Sequence, residues 1–211
     1  MKGFKKSRRA VLLCGLLLSV GLLTLLGGAT LFAGQSRGHK AEAAKYLFVW
    51  AGDAARVNPD FLADINFNRH SPDYGDVITT LPLSGPGATG NEPHHMTLSA
   101  DGKVLGAGGL LSFLKGQPQI FFFDVSDPAR PKFIKSVNPP DASITDEFAP
   151  LADGGFMVTM MGGPNGMAPG RVLEFNRKLQ LVGEYPSDLP LDGFNPHGIS
   201  IRPELNLMVP N

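Results

Sequence analysis

The feature that most constrains the fold is a repeat. "SADGKVLGAGG" from Ser99 recurs as "LADGGFMVTMMGG" from Leu151, and the two Asp-Gly turns, at Asp101 and Asp153, stand 52 positions apart. "IFFFDVSDPARPKFIKSV" then matches "RVLEFNRKLQLVGEYP", with Phe123 and Phe175 again 52 apart. A third copy of the first element, "HGISIRPELNLMV", puts Pro203 50 positions after Asp153, and "FLADINFNRHSPDYGDVITTLPL" is an earlier copy of the second. Each unit reads as a strand, an Asp-Gly-type hairpin, a strand, a loop and a second hairpin.

The runs "KYLFVWAG", "IFFFDV", "GFMVTMM" and "RVLEF" are short, apolar and bounded by Gly, Pro, Asn and Asp. "ADINF" and "GDVITTLPL" alternate as half-buried strands do. No stretch of ten residues keeps a helical period free of Gly and Pro. Roughly four antiparallel strands per 40 to 50 residues is the pattern of a β-propeller blade. A β-sandwich also yields hairpins, but it does not require equal spacing with matching turn residues. The expected fold is therefore all-β, a propeller with blade units at about 46–84, 95–137, 147–186 and 197–211. That is about three blades plus one strand, whereas rings close with roughly four to eight. The chain is thus expected to be an incomplete portion of a ring, from a truncated or split reading frame. Its open strand edges predict poor solubility.

Aligning the copies on their turns gives the histidines a meaning. His95 lies six residues before Asp101, Glu147 six before Asp153, and His197 six before Pro203. Equivalent positions at the start of innermost strands converge on the channel axis. Two imidazoles and a carboxylate meeting there suit Cu, Zn, Fe or Mn. His94 and Asp146 hold the preceding position, where strict alternation points them away, as partners that orient the ligands. The competing reading is that a propeller mouth is simply polar and collects His and Asp without a metal. Asn91 and Asn195, shortly before Pro93 and Pro196, read as turn formers. His70 reads as a hairpin-loop residue.

Other candidates carry less. "SGPGATGNEP" and "MMGGPNGMAPGR" have no Lys after their glycines and open no helix, so they are loops and not phosphate cradles. Thioethers are soft copper ligands, but Met157 at an alternating strand position reads as core filler. Met160, Met161 and Met167 have weaker structural reasons. Trp50 and the "IFFFD" aromatics read as blade-to-blade packing.

Residues 1–43 stand apart. They hold seven of the 19 Lys and Arg but only one of the 19 Asp and Glu, which leaves 12 basic against 18 acidic side chains in the other 168 residues. A mildly acidic domain excludes a nucleic-acid surface, which needs clustered Lys and Arg. "MKGFKKSRRA", an uncharged Leu-rich run from Ala10 to Gln35 and the small-residue site Ala41-Glu42-Ala43 make an export signal. "SRRAVLL" resembles a twin-arginine signal, which exports proteins already folded. The run is also long enough to stay uncut as a membrane anchor. Either way the domain is expected outside the cytoplasm, in the periplasm or an equivalent space. Cys14 stands too early in the run for lipidation, and no cysteine follows it. Disulfides, thiolate metal sites and cysteine nucleophiles are excluded from the exported part.

"VWAGDAARVNPDFLADINF", "GPGATGNEPHH", "IFFFDVSDPARP", "ITDEF", "DGGFMVTMMGG" and "DGFNPHGISIRPELNLMV" together resemble the N-terminal half of the selenium-binding protein family, from about Tyr46 to Val209. The resemblance implies a seven-bladed propeller of roughly twice this length. It also implies a copper-dependent methanethiol oxidase, which converts methanethiol, O2 and water to formaldehyde, hydrogen sulfide and hydrogen peroxide. By motif, "EPHH" makes His94 and His95 expected site residues, and "NPHG" adds His197. Glu147 comes from the repeat alone. Animal members carry cysteines after the His-His segment, and here it reads "HHMTLSADG", so thiol-held selenium is not expected. A truncated ring is expected to be weakly active or inactive. The competing classes are a non-enzymatic propeller that binds a ligand or protein, and a propeller lactonase.

Overall fold

Four antiparallel sheets follow one another along the chain in a computed structural model, which describes residues 44–188 and 192–211. The signal or anchor, the twin-arginine-like motif and Cys14 lie outside the described residues. Among the described residues no helix is long and apolar enough to cross a membrane. The first sheet has three strands, β1 (Tyr46–Ala51), β2 (Phe61–Asn66) and β3 (Val77–Pro82). The second runs β4 (Pro93–Leu98), β5 (Val104–Gly109), β6 (Ile120–Asp124) and β7 (Lys132–Val137) in sequence order. The third repeats this with β8 (Ser143–Pro150), β9 (Phe156–Gly162), β10 (Arg171–Phe175) and β11 (Leu181–Tyr185). β12 (Ile199–Arg202) and β13 (Leu207–Pro210) form the fourth, a hairpin.

The repeated turns are built alike. Each hairpin from an inner to a second strand needs one residue in the left-handed region. Gly102 (φ 70°) and Gly154 (φ 93°) supply it without a Cβ clash, and Asn206 (φ 48°) takes the place in the third copy. Asp101 Oδ1 accepts from Ser99 Oγ and the Lys103 amide, closing the first of these turns.

Alternation explains the three consecutive phenylalanines of β6. Successive side chains leave opposite faces of a sheet, so Phe121 and Phe123 point one way and meet Trp50 at ring separations of 5.5 and 5.6 Å. Phe122 points the other way, against Phe156 at 5.8 Å and Phe175 at 5.4 Å. A single strand thus belongs to two cores, one between the first and second sheets and one between the second and third. The glycines of β5 set the spacing of the latter. A Cβ at Gly106 would lie 3.0 Å from the Phe148 ring, and one at Gly108 would lie 3.0 Å from Thr145 Cγ2. Small residues there let β8 come close to β5.

One buried group opposes this packing. Asp64, at the middle of β2, is fully buried, and among the described residues neither of its carboxylate oxygens has a well-aligned hydrogen-bond donor. It shares a face with Leu62, beside the core that holds Trp50. Burial pushes its carboxyl up to about 6, with the Ile65 backbone N–H pulling the other way. The folded chain therefore binds more protons than the unfolded chain between about pH 4 and 6, so stability falls as pH rises through that window. Above it the cost of the buried charge, about 3 kcal/mol, is fully present. Asp64→Asn should flatten this dependence and raise the melting temperature at pH 7.5 by several degrees. Melts at pH 4.5 and 7.5 that remain parallel to wild type would show that Asp64 is not the group responsible.

Candidate metal centre

The strands β4, β8 and β12 are the edge strands of three successive sheets, and β4 and β12 both pack beside β8. Their entries carry the expected residues, but the local geometry departs from strict alternation. Pro93 pairs with Gly109 and Met96 with Ala107, so three steps on β4 face two on β5. Thr145 pairs with Met160 and Phe148 with Val158, so β8 does the same against β9. Each strand holds one extra residue, a bulge that re-aims side chains. His94-His95 occupies the first bulge and Asp146-Glu147 occupies the equivalent place in the second.

The bulges bring His94 and His95 to the same side, where their rings stack at 4.4 Å. Both meet Asp146. Its Oδ1 lies 3.2 Å from His94 Nε2 and 2.9 Å from His95 Nδ1, and its Oδ2 lies 2.8 Å from His197 Nδ1. Two imidazoles from the second sheet and one from the segment entering the fourth thus converge on one carboxylate of the third. The Asp146 side chain is only 4% exposed, whereas those of His94, His95 and His197 are 38%, 53% and 63% exposed. The carboxylate forms the floor of the cluster and the rings its solvent side.

The two adjacent acids make different contacts. Glu147 Oε2 accepts the Ile199 amide at 2.9 Å, and its own amide donates to Thr159 Oγ1 at 2.8 Å. Asp146, expected to point away with His94, supplies the convergent carboxylate, because a bulge cancels the period of two that ordered those assignments. The signal was present in the repeat, since Asp146 stands seven residues before Asp153 just as His94 stands seven before Asp101. Asn91, expected as a turn former, is fully buried. Its amide and Nδ2 donate to Asp60 Oδ2 at 2.7 and 3.0 Å, and Ser112 Oγ donates to its Oδ1 at 2.7 Å. This network anchors the chain just before β4. His70 sits exposed in the β2–β3 loop, its amide bonded to Asn68 Oδ1. Met160 is fully buried in the core and Met167 is exposed.

Backbone strain marks the same places. Glu92 (φ 57°) and Ile144 (φ 62°), each two residues before the first residue of a bulge pair, are non-glycines in the left-handed region. For a β-branched residue this is unusual and costs on the order of 1–3 kcal/mol. Gln119 Oε1 holds the Ile144 amide at 2.7 Å, and an ion pair to Arg56 holds Glu92 at 2.6 Å.

The cluster fits a metal ion. Ligand atoms of His94, His95 and Asp146 all lie within 4.8 Å of one another, and Asp146 Oδ1 is within 3.2 Å of one nitrogen of each ring, a spacing that one ion with bonds of about 2.0–2.2 Å can bridge. Asp146 Oδ1 is buried and accepts no well-aligned hydrogen bond, although two imidazole nitrogens lie within 3.2 Å. A buried carboxylate oxygen without an aligned donor is costly unless a cation or a protonated ring offsets it. Imidazole nitrogen with carboxylate oxygen is a donor set for first-row transition metals.

No family model matches the chain. A stretch of 95 residues, 44% of the chain, is 38% identical to a methanethiol oxidase from Hyphomicrobium sp, of which it spans 20%. Among solved structures, a hypothetical selenium-binding protein from Sulfolobus tokodaii superposes with a TM-score of 0.62 at 19% identity, over 77% of this chain and 38% of that one. The periplasmic gluconolactonase of Pseudomonas aeruginosa superposes with a TM-score of 0.50 at 17% identity, over 79% and 43%. The fold is a β-propeller. The propeller's four-stranded sheets are its blades, and the His-Asp cluster lies where successive blades present their inner strands. The chain spans about a fifth of the methanethiol oxidase and under half of each structural neighbour.

Proposed function

We propose that the chain is an exported member of the selenium-binding protein family and takes part in copper-dependent oxidation of methanethiol. The observation that carries this reading is the convergence of His94, His95 and His197 on the buried carboxylate of Asp146. The likeness to the Hyphomicrobium methanethiol oxidase supports the reaction class. His94, His95 and Asp146, with His197 beside them, would hold the ion. Copper, when bound, supplies one-electron exchange between a thiol sulfur and O2. The balance is one methanethiol, one O2 and one water to one formaldehyde, one hydrogen sulfide and one hydrogen peroxide.

The residues supply the rest. The solvent side of the cluster is formed by His95 and His197, more than half exposed among the described residues, which leaves their rings open to a small thiol. An imidazole on that side presents a ring nitrogen suited to take up the thiol proton. Asp146, behind the rings, fixes their orientation and offsets positive charge at the site.

Titration of the metal-free chain with Cu(II), followed by electron paramagnetic resonance, is expected to show one bound ion with nitrogen ligands. Oxygen uptake with methanethiol should then depend on the bound copper. No copper binding would sink the metal reading. Copper binding without oxygen uptake would point instead to a binding protein.

A further inference from the structure

Glu147 makes its contacts to Thr159 and Ile199 and not to the three rings' shared carboxylate position. We propose that Glu147 and Thr159 are positioning residues, an inter-blade latch that holds His197 against Asp146. Thr159, fully buried on β9, places its hydroxyl between two blades. It accepts the Glu147 amide at 2.8 Å and lies 2.5 Å from the carbonyl oxygen of His197, to which its one hydroxyl hydrogen is donated. Glu147 Oε2 accepts the Ile199 amide at 2.9 Å. The third and fourth sheets are thus joined at two points, the His197 carbonyl and the Ile199 amide two residues on.

The latch works at close quarters. A Cβ at Gly198 would lie 3.0 Å from Glu147 Oε2, so the glycine leaves the carboxylate room to reach the next amide. His197 is the most exposed of the three rings and precedes its strand, which begins at Ile199. Within the fourth sheet its amide donates to the Asn211 carbonyl at 2.6 Å, just beyond the paired strands. The two bonds from the third blade fix the same segment from the other side, beside the residue that supplies the cluster's carboxylate. Bulge geometry therefore divides two adjacent acids: Asp146 faces the rings, and Glu147 fastens the strand that brings the third ring in.

The proposal rests on the metal reading for its first test and is independent of it in its second. In the intact chain, Glu147→Ala and Thr159→Val should weaken Cu(II) binding about ten- to a hundredfold, the usual effect of removing a group that orients a ligand. The copper spectrum should lose one nitrogen, that of His197. Glu147→Gln and Thr159→Ser keep an acceptor and a hydroxyl, and should retain the wild-type spectrum. Equal loss in Glu147→Gln and Glu147→Ala would make Glu147 a ligand and overturn the proposal. Without metal, amide exchange at Ile199 should be slow in wild type and Glu147→Gln and at least about tenfold faster in Glu147→Ala, because an unpaired amide exchanges freely. Melting curves establish that each variant is folded. If wild type binds no Cu(II), the metal reading fails while the Ile199 exchange still decides the latch. Unchanged exchange in Glu147→Ala would refute it.

Discussion

Asp146→Ala should weaken Cu(II) binding by at least about a hundredfold, more than any single histidine replacement in the cluster. Each ring contributes one nitrogen, whereas Asp146 touches all three rings through two oxygens. It is also the cluster's only buried member, so its negative charge acts at reduced dielectric, where opposing a cation is worth most. Removing it leaves three neutral or charged imidazoles, each more than a third exposed, with no group fixing their angles. Asp146→Asn keeps the volume and one carbonyl oxygen, and should fall between wild type and Ala. Calorimetric titration with Cu(II), with resonance spectra of the bound ion, measures both effects. An Asp146→Ala chain that binds copper with wild-type affinity and the same nitrogen count would mean that the carboxylate takes no part.

Phe122→Ala should cost about 3–5 kcal/mol of stability, the usual range for deleting a fully buried aromatic ring. The ring is completely buried between the second and third sheets, against Phe156 and Phe175. Collapse around the cavity is limited, because Gly106 already holds β5 near the Phe148 ring. The loss should appear in urea denaturation as a lower midpoint with an unchanged slope. A cost below about 1 kcal/mol would show that the two sheets do not depend on this contact.

These two residues differ in how far the sequence exposed them. Phe122 was legible: three apolar residues in a short strand between polar turns can all be buried only if both faces of the sheet are covered. The spacing of Asp101 and Asp153 made the covering units repeats of one another. Asp146 was half legible. Its place in the repeat was visible beside His94, but its direction was not, because a period of two assigns the opposite face. His95 and His197 were singled out because a repeat makes equivalent positions converge without any knowledge of side-chain direction, whereas His94 entered as an orienting partner and through the family resemblance. Asp64 and the Asn91 network were not found, since a buried carboxylate and a surface one have the same local sequence.

What the sequence determined by itself was the repeat unit, its hairpins and which strand entries meet, because turn chemistry and alternation are local. Only the tertiary structure decided which of two adjacent acids faces the rings. That choice rests on one extra residue in each of two strands, at Pro93–Met96 and Thr145–Phe148, whose accommodation depends on the partner strand. A bulge is a property of a pair of strands, so neither strand's residues announce it.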